Sequence, residues 1–326
     1  MIFRKNIAAM IAAATFSAVA MAQTYPSKPV RFIVPFPAGG PTDMVSRAVT
    51  AKLSEALGQP VVVDNVGGAG GSIGMAALAR ALPDGYTLGL ATTGTHAVNP
   101  HLYGAKLGYN ALRDFTPVTP VVTYVNLLVV HPAVPARTVA ELVSYASANP
   151  QKVSFGSSGN GSTNHLSGEL LKSLTGAPMV HIPYKGGAQA LNDLLGGNTT
   201  FMFDLLSSSM PHVKAGKLRA LAVSSGQRTN FAPEVPTMDE SGVPGYAEAG
   251  SDLWFGIVGP ANLPPAVTAR LNSELRTILK SAEMQERFRG MYLDIKTTTP
   301  AEFGKMIAAD HDKWGSVVKA SGAKID

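Results

Sequence analysis

Short apolar runs rich in β-branched residues alternate with helical patterns along most of the chain. The pattern predicts strands at 30–34, 61–63 and 87–90, with helices between them that end at Leu57 and Leu82. Strands separated by helices in this order are typical of a parallel sheet with helices on both faces. Ligands of such sheets bind beyond the carboxyl ends of the strands.

A second cycle of strands and helices follows the apolar run 121–130, which we interpret as one buried strand leading into a second lobe. The predicted elements of this cycle are helix 138–148, strand 153–155, helix 162–174, strand 179–182, helix 187–195, and strands 200–203 and 218–223. A proline-punctuated passage at 115–120 precedes the apolar run 121–130. The segment 226–265, rich in glycine and proline, is predicted to be irregular, apart from a strand at 253–258.

Three helices are predicted at the C-terminal end, at 265–279, at 282–291 and after Pro300. The last has a single apolar stripe, which we interpret as packing. The stripe consists of Phe303, Met306, Ile307, Trp314, Val317 and Val318. If these helices return to the first lobe, the chain crosses twice and the crossings form a hinge. We therefore predict two α/β lobes: residues 23–123 with 225–326, and residues 124–224.

The first 22 residues have the pattern of an export signal. Arg4 and Lys5 precede an apolar run at 7–19, and the segment ends in small residues at Ala20 and Ala22. The apolar run is shorter than the roughly 20 residues that span a bilayer. We expect cleavage after Ala22 and a periplasmic mature protein, whose length suits two lobes of about 150 residues each.

The composition excludes several classes of chemistry. The 326 residues include no cysteine, so thiolate catalysis and cysteine-based zinc sites are ruled out. Lysine and arginine are scattered singly within a net charge of +5, which argues against a nucleic-acid partner. The histidines show no metal-ligand spacing, and the chain has neither a complete G-x-G-x-x-G nor a Walker loop. We expect no metal and no cofactor.

The first strand runs into a loop rich in glycine and proline, immediately before a helix. Its candidate ligand-binding residues are Phe36, Ala38, Gly39, Gly40, Thr42 and Asp43. Glycine allows the backbone to approach a ligand, and the free N–H groups and dipole of the helix favour a carboxylate. A plain turn capped by Thr42 or Asp43 is the alternative interpretation.

A matching loop follows the strand at 153–155. Its candidate ligand-binding residues are Ser157, Ser158, Gly161, Ser162, Thr163 and His165. Two helix N-termini, one from each lobe, would bind a small anion across a cleft mainly through backbone and hydroxyl donors. Neither loop contains lysine or arginine, which favours a carboxylate over a multiply charged phosphate.

One enzyme motif competes with this interpretation. The sequence Gly70-Gly71-Ser72-Ile73-Gly74 matches the G-x-S-x-G of a hydrolase nucleophile elbow. An elbow is a tight turn, however, whereas a long glycine-rich loop separates Ser72 from the strand before it. A Ser72 hydrolase is therefore kept only as a remote alternative, and we predict that the protein is not an enzyme.

A set of motifs in a fixed order resembles one known family. The motifs are Tyr25-Pro26-Ser27-Lys28-Pro29, the loop from Pro35 to Asp43, Pro83-Asp84-Gly85-Tyr86-Thr87-Leu88, Ser157-Ser158-Gly159-Asn160-Gly161, His181-Ile182-Pro183-Tyr184-Lys185-Gly186, Met202-Phe203-Asp204 and Val235-Pro236-Thr237. In this order they resemble the substrate-binding proteins of tripartite tricarboxylate transporters, the Bug or TctC family. The resemblance implies a type II Venus-flytrap fold, a periplasmic-binding-protein-like architecture with a ligand cleft between the lobes.

The resemblance also implies a function and further site residues. It implies capture of a small carboxylate for the membrane permease subunits of such a transporter, and candidate residues at Thr95, His96, Tyr184 and Asp204. The ligand class stays open among dicarboxylates, tricarboxylates, acidic amino acids and aromatic acids. Leu205 follows Asp204 where the family often has a polar residue, so a less polar cleft wall is expected. A ligand sensor for an envelope signalling protein is the alternative function.

Overall fold

The computed structural model describes residues 25–250 and 253–321, so the predicted signal segment lies outside the described residues. The strands are β1 (Val30–Val34), β2 (Val61–Asn65), β3 (Thr87–Thr92), β4 (Phe115–Tyr124), β5 (Asn126–Val130), β6 (Ser154–Ser157), β7 (Val180–Pro183), β8 (Phe201–Leu205), β9 (Arg219–Val223), β10 (Leu253–Pro260) and β11 (Asp294–Ile295). The helices are α1 (Pro41–Leu57), α2 (Ser72–Ala79), α3 (Asn99–Tyr103), α4 (Val139–Ala148), α5 (Thr163–Thr175), α6 (Gly187–Leu195), α7 (Leu206–Lys214), α8 (Tyr246–Gly250), α9 (Pro265–Lys280), α10 (Ala282–Gly290) and α11 (Pro300–Ser321).

Within the described ranges, the strands form two mixed sheets with helices packed against them. The first sheet has the order β11-β4-β10-β3-β1-β2, and the second has the order β7-β6-β8-β5-β9. In the first, β1 pairs in parallel with β2 and β3, while β10 is antiparallel to β3 and β4. In the second, β6 pairs in parallel with β7 and β8, while β5 is antiparallel to β8 and β9. The predicted two-lobed α/β fold is confirmed.

The apolar run 121–130 is not one strand, contrary to the prediction. Its first half completes β4 in the first sheet, and its second half is β5 in the second sheet, with Val125 between them. Both halves are buried in their own sheets, so the apolar pattern continues across the crossing and gives no sign of it. The chain therefore crosses from the first sheet to the second at Val125.

The proline-punctuated passage 115–120, for which no element was predicted, belongs to β4. Pro117 and Pro120 lie opposite Val258 and Gly256, and the register between β4 and β10 shifts next to each of these pairs. Proline cannot donate a ladder hydrogen bond and is tolerated inside a sheet mainly at such bulges.

The segment after β9 stays with the second sheet for longer than predicted. Ala232 and Val235 pack in one apolar cluster with Leu127 and Leu218, and Met238 donates its N–H to the carbonyl of Val223. The chain returns to the first sheet at β10, rather than at residue 225. The segment 226–265, predicted to be largely irregular, also contains α8.

The last helix, α11, packs against β4 and also against α5 of the second lobe. The predicted stripe is buried, apart from the half-buried Met306. In the core beneath α11, the Trp254 ring meets Phe303 edge-on, and Trp254 Nε1 donates to Asp310 Oδ2 at 2.6 Å. None of the helices in the described ranges is both long and apolar enough to cross a bilayer.

Candidate functional site

A cavity of about 160 Å³ lies between the two sheets. Its walls are Phe36, Pro37, Ala38, Gly40, Pro41, Thr42, Thr92, Gly94, Tyr124 and Phe255 from the first lobe, and Ser158, Ser162, Thr163, Asn164, Gly186, Gly187, Ala188, Gln189, Asp204 and Leu205 from the second. Within residues 25–250 and 253–321, no lysine, arginine or histidine side chain lines this cavity. Any anion held here would be bound by neutral donors.

The structure brings half of the predicted site residues to the cavity wall. Those that line it are Phe36, Ala38, Gly40, Thr42, Ser158, Ser162, Thr163 and Asp204. The others do not line it: Gly39, which is exposed, Tyr184, which is half-buried, and the buried residues Asp43, Thr95, His96, Ser157, Gly161 and His165. A direct ligand contact by any of these side chains stays a prediction.

Asp43 fixes the loop between β1 and α1 from behind. The Asp43 carboxylate is buried and accepts hydrogen bonds from the Gly39 N–H at 3.0 Å, from Arg47 Nε at 2.9 Å and from Asn65 Nδ2 at 3.0 Å. Burial opposes ionisation, but the hydrogen bonds from Arg47, Gly39 and Asn65 hold the Asp43 pKa below its ordinary value. Gly39 has a φ of 85°, a conformation that favours glycine, so this turn depends on residue type as well as on hydrogen bonds.

Several helices begin at the cavity. The first turns of α1, α5 and α6 line it, and α7 begins next to Asp204 and Leu205. The N-caps of α1, α6 and α7 make no side-chain capping hydrogen bond, whereas Ser162 caps α5 by accepting from the His165 N–H. The uncapped first turns of α1 and α6 carry N–H groups without an intrahelical acceptor and the positive end of the helix dipole. The start of α7 already has a carboxylate beside it, because Ser208 and Ser209 of that helix donate to Asp204 Oδ2. Together the first turns of α1 and α6 make this cavity favourable for a carboxylate.

His96 lies in the core of the first lobe and has no access to the cavity. Its ring is fully buried beside Phe115 and Trp254, and its Nδ1 lies 3.0 Å from Thr95 Oγ1. Burial lowers the His96 pKa to about 3, so the ring is neutral at physiological pH. Thr95 is buried as well and bonds to Thr92, which does line the cavity.

In the second lobe, a set of buried contacts holds the loop between β6 and α5. Ser157 Oγ lies 2.6 Å from His181 Nε2 and accepts from the Gly159 N–H. His165 Nδ1 accepts from the Gly161 N–H, and burial lowers the His165 pKa to about 3. These side chains therefore shape the loop rather than supply charge to a ligand.

Asp204 is the one carboxyl group of the described residues that lines the cavity. It is only 2% exposed, and its Oδ2 accepts from Ser208 Oγ at 2.5 Å and Ser209 Oγ at 2.8 Å. Burial raises its pKa to about 6, although both serine hydroxyls act in the opposite direction. Tyr184, also predicted at the cleft, instead donates its hydroxyl to Asp193 Oδ2 at 2.6 Å.

The two lobes touch each other beside the cavity. Tyr103 of the first lobe donates its hydroxyl to the Asn160 carbonyl of the second at 3.1 Å. A Cβ placed on Gly70 would lie 2.1 Å from the same carbonyl oxygen, and one on Gly186 would lie 3.3 Å from the Pro37 ring. The glycines allow the loops of the two lobes to pack closely around the cavity.

Ser72 of the G-x-S-x-G motif belongs to this contact region. Ser72 is 5% exposed, and its Oγ accepts a hydrogen bond from Asn99 Nδ2 at 2.9 Å. Asn99 also donates to the Gly70 carbonyl, and its Oδ1 lies against Gly161 of the other lobe. The partner of Ser72 is thus an amide where a nucleophile would need a histidine base.

The sequence analysis missed several residues of the cavity wall. The start of α6, Gly186 to Gln189, follows β7 in the same strand, glycine loop and helix pattern as the two loops that were recognised, so its signal was available. Tyr124 and Phe255 lie within buried strands, where an aromatic residue facing a cavity cannot be told from one in the core.

Comparison with known proteins gives the family. The model of the tripartite tricarboxylate transporter family receptor, TctC, matches residues 45–323. The chain belongs to this family. The resemblance inferred from the sequence motifs is confirmed.

Curated and solved TctC relatives match over nearly the whole chain. BugT of Bordetella pertussis is 36% identical over 319 residues, which cover 98% of this chain and 97% of BugT. Rpa4515 of Rhodopseudomonas palustris, solved with adipate, is 36% identical with a TM-score of 0.87, over 92% of this chain and 100% of that one. MatC of the same organism, solved with bound malate, is 30% identical with a TM-score of 0.85, over 90% and 100% of the two chains.

Proposed function

We propose that this protein captures a small carboxylate in the periplasm and delivers it to the membrane permease of a tripartite tricarboxylate transporter. The observation that carries the proposal is the convergence of uncapped helix N-termini from both lobes on one cavity, whose described walls hold no cationic side chain. Membership of the TctC family and the acids in the two solved relatives support it. The second sheet, with its helices and the segment after β9 that packs on it, is proposed to move as one lobe against the first sheet.

The proposal predicts that binding depends on the carboxylate itself. Protein stripped of bound ligand by unfolding and refolding would be titrated by calorimetry with acids and their amides: benzoate against benzamide, and adipate against adipamide. Helix N-termini favour a negative charge, so at least one acid should bind and its amide should not. Equal binding of acid and amide, or no binding of any small acid by the folded protein, would overturn the proposal.

The transport role and the location have their own tests. Deletion of the gene should abolish uptake of the acid that binds, and a plasmid copy should restore it. The mature N-terminus, read by mass spectrometry of the periplasmic fraction, should begin at Gln23 if the export signal is cleaved as expected. Recovery of the protein with residues 1–22 intact in the cytoplasm would contradict the periplasmic assignment.

A further inference from the structure

The order of the strands gives the cavity two chemically different ends. Counting outward from the crossing at Val125, the first sheet contributes β4, β10, β3 and β1, and the second contributes β5, β8, β6 and β7. The cavity residues on β4, β10 and β8 therefore lie at the hinge end. Those on the loops after β1 and β7 lie at the outer end, where Pro37 touches Gly186.

The hinge end is apolar and contains one carboxyl group. The rings of Tyr124 and Phe255 lie 4.6 Å apart between centroids, and Leu205 completes the wall. Asp204 is buried among these groups. The Ser208 and Ser209 hydroxyls both donate to its Oδ2. A carboxylate has about four acceptor positions, so Asp204 can still accept a hydrogen bond from a ligand.

A second carboxylate on a ligand would be unfavourable at this end. It would lie beside Asp204 and against aromatic and aliphatic side chains, and no cation lines the described cavity wall to compensate it. Two carboxylates that share a buried site cannot readily both ionise. An uncharged hydrogen-bond donor, by contrast, would find an acceptor in Asp204.

The volume of the cavity sets the size of the ligand. An apolar protein cavity of about 150 Å³ holds one benzene molecule, and this cavity measures about 160 Å³. The volume therefore suits an apolar body of about six carbons. The outer end would take the carboxylate, because the first turns of α1 and α6 are found there.

We propose that the ligand is a monocarboxylate with an apolar, ring-sized body, which lies against Tyr124 and Phe255 and donates a hydrogen bond to Asp204. This inference rests on the proposed function, since it assumes that the cavity binds an acid. It narrows the ligand class to hydroxylated ring monocarboxylates and disfavours dicarboxylates of the same length.

Matched pairs of acids test the inference on the ligand-free, unmodified protein. Calorimetry would compare 4-hydroxybenzoate with terephthalate, and 3-hydroxybenzoate with isophthalate, with benzoate and adipate as references. In at least one pair the hydroxy acid should bind at least 10-fold more tightly than the dicarboxylate, and more tightly than benzoate. If adipate or the ring dicarboxylates bind as tightly as both hydroxy acids, the inference is overturned and the proposed function stands. If no acid binds to the folded protein, both fail.

A substitution tests whether Asp204 causes the preference for monocarboxylates over dicarboxylates. Asp204→Asn keeps the shape and removes the charge, so terephthalate or isophthalate affinity should rise at least 10-fold relative to benzoate. Asp193→Asn is the control, because Asp193 lies in the same lobe outside the cavity wall and bonds to Tyr184. Unchanged discrimination in folded Asp204→Asn would overturn the inference, and the wild-type comparison decides the question if that variant does not fold.

Discussion

Replacing Gly70 by alanine should weaken ligand binding without any change at the ligand. The added Cβ would lie 2.1 Å from the Asn160 carbonyl oxygen, which belongs to the other lobe. Carbon and carbonyl oxygen rarely approach closer than about 3.3 Å, so the loops must separate by about 1 Å when the lobes close. Overpacking of this kind costs roughly 1–3 kcal/mol.

The cost should appear as a loss of affinity. A cost of about 2 kcal/mol on the closed form raises the Kd by about 30-fold, because binding requires that form. Gly70 also has a φ of 60°, which strains any alanine in the open and closed forms alike. The unfolding free energy should therefore fall by only about 1 kcal/mol.

Gly58→Ala is the matched control. Gly58 has a φ of 67° and no atom within 4 Å of an added Cβ, so it reproduces the backbone strain without the contact between lobes. Urea unfolding should show a similar loss of unfolding free energy in the two variants. Calorimetry with the acid that gives the largest thermal shift should show a weaker affinity for Gly70→Ala than for Gly58→Ala. If Gly70→Ala binds as tightly as Gly58→Ala, the loops do not meet in the ligand-bound form and the reasoning is refuted.

Three further predictions concern single side chains. Burial raises the Asp204 pKa from 3.8 to about 6, so the folded protein favours the neutral carboxyl group. The contribution of Asp204 to the free energy of unfolding is therefore greatest below about pH 4, and it falls by up to about 3 kcal/mol as the pH rises through 6. Urea unfolding of Asp204→Asn should lack this fall, and an unchanged profile would contradict the assignment. Ser72→Ala removes one of the two acceptors of Asn99 Nδ2 and should cost about 1 kcal/mol of stability. Hydrolysis of p-nitrophenyl acetate should be at background before and after the change. A loss of hydrolysis on this change would revive the hydrolase alternative. Asp43→Asn weakens the support of Gly39 and should reduce acid affinity by about 5-fold, near 1 kcal/mol, and full affinity by calorimetry would show that the loop keeps its shape without the charge.

The sequence predicted those strands and helices whose pattern of apolar residues changes at their ends. The alternation of strands and helices was visible around β1, β2, β3, β6 and β7, because a segment that contains glycine follows each of these strands. The break between β4 and β5 was not visible, although the lobe boundary was predicted between residues 123 and 124, because the two strands are buried in different sheets but have the same apolar pattern. The helix α7 was missed because its serines and Pro211 are poor helix formers, and its support comes from contacts with β5 and β8.

For the site, the sequence predicted the loops better than it predicted the roles of individual side chains. Glycine and hydroxyl residues between a strand and a helix indicate where a helix N-terminus lies, and these loops do line the cavity. His96 was predicted at the ligand from the family resemblance, and Asp43 from its place in the loop before the first helix. Their burial depends on how the loop folds back on its own helix, which residue type and spacing do not specify.

The neutral cavity and the contacts between lobes have a joint consequence for ligand release. An arginine in the cavity would form a buried ion pair with the carboxylate, and leaving such an arginine buried without its partner costs about 3–5 kcal/mol. Helix N-termini and hydroxyl groups leave no charge uncompensated when the ligand departs. Most of the barrier to release would then lie in opening the lobes, that is, in contacts such as Tyr103 with Asn160 and Gly70 with the same loop. A permease that separates these surfaces would free the ligand without touching the cavity, and Gly70→Ala should accordingly raise the dissociation rate more than it lowers the association rate.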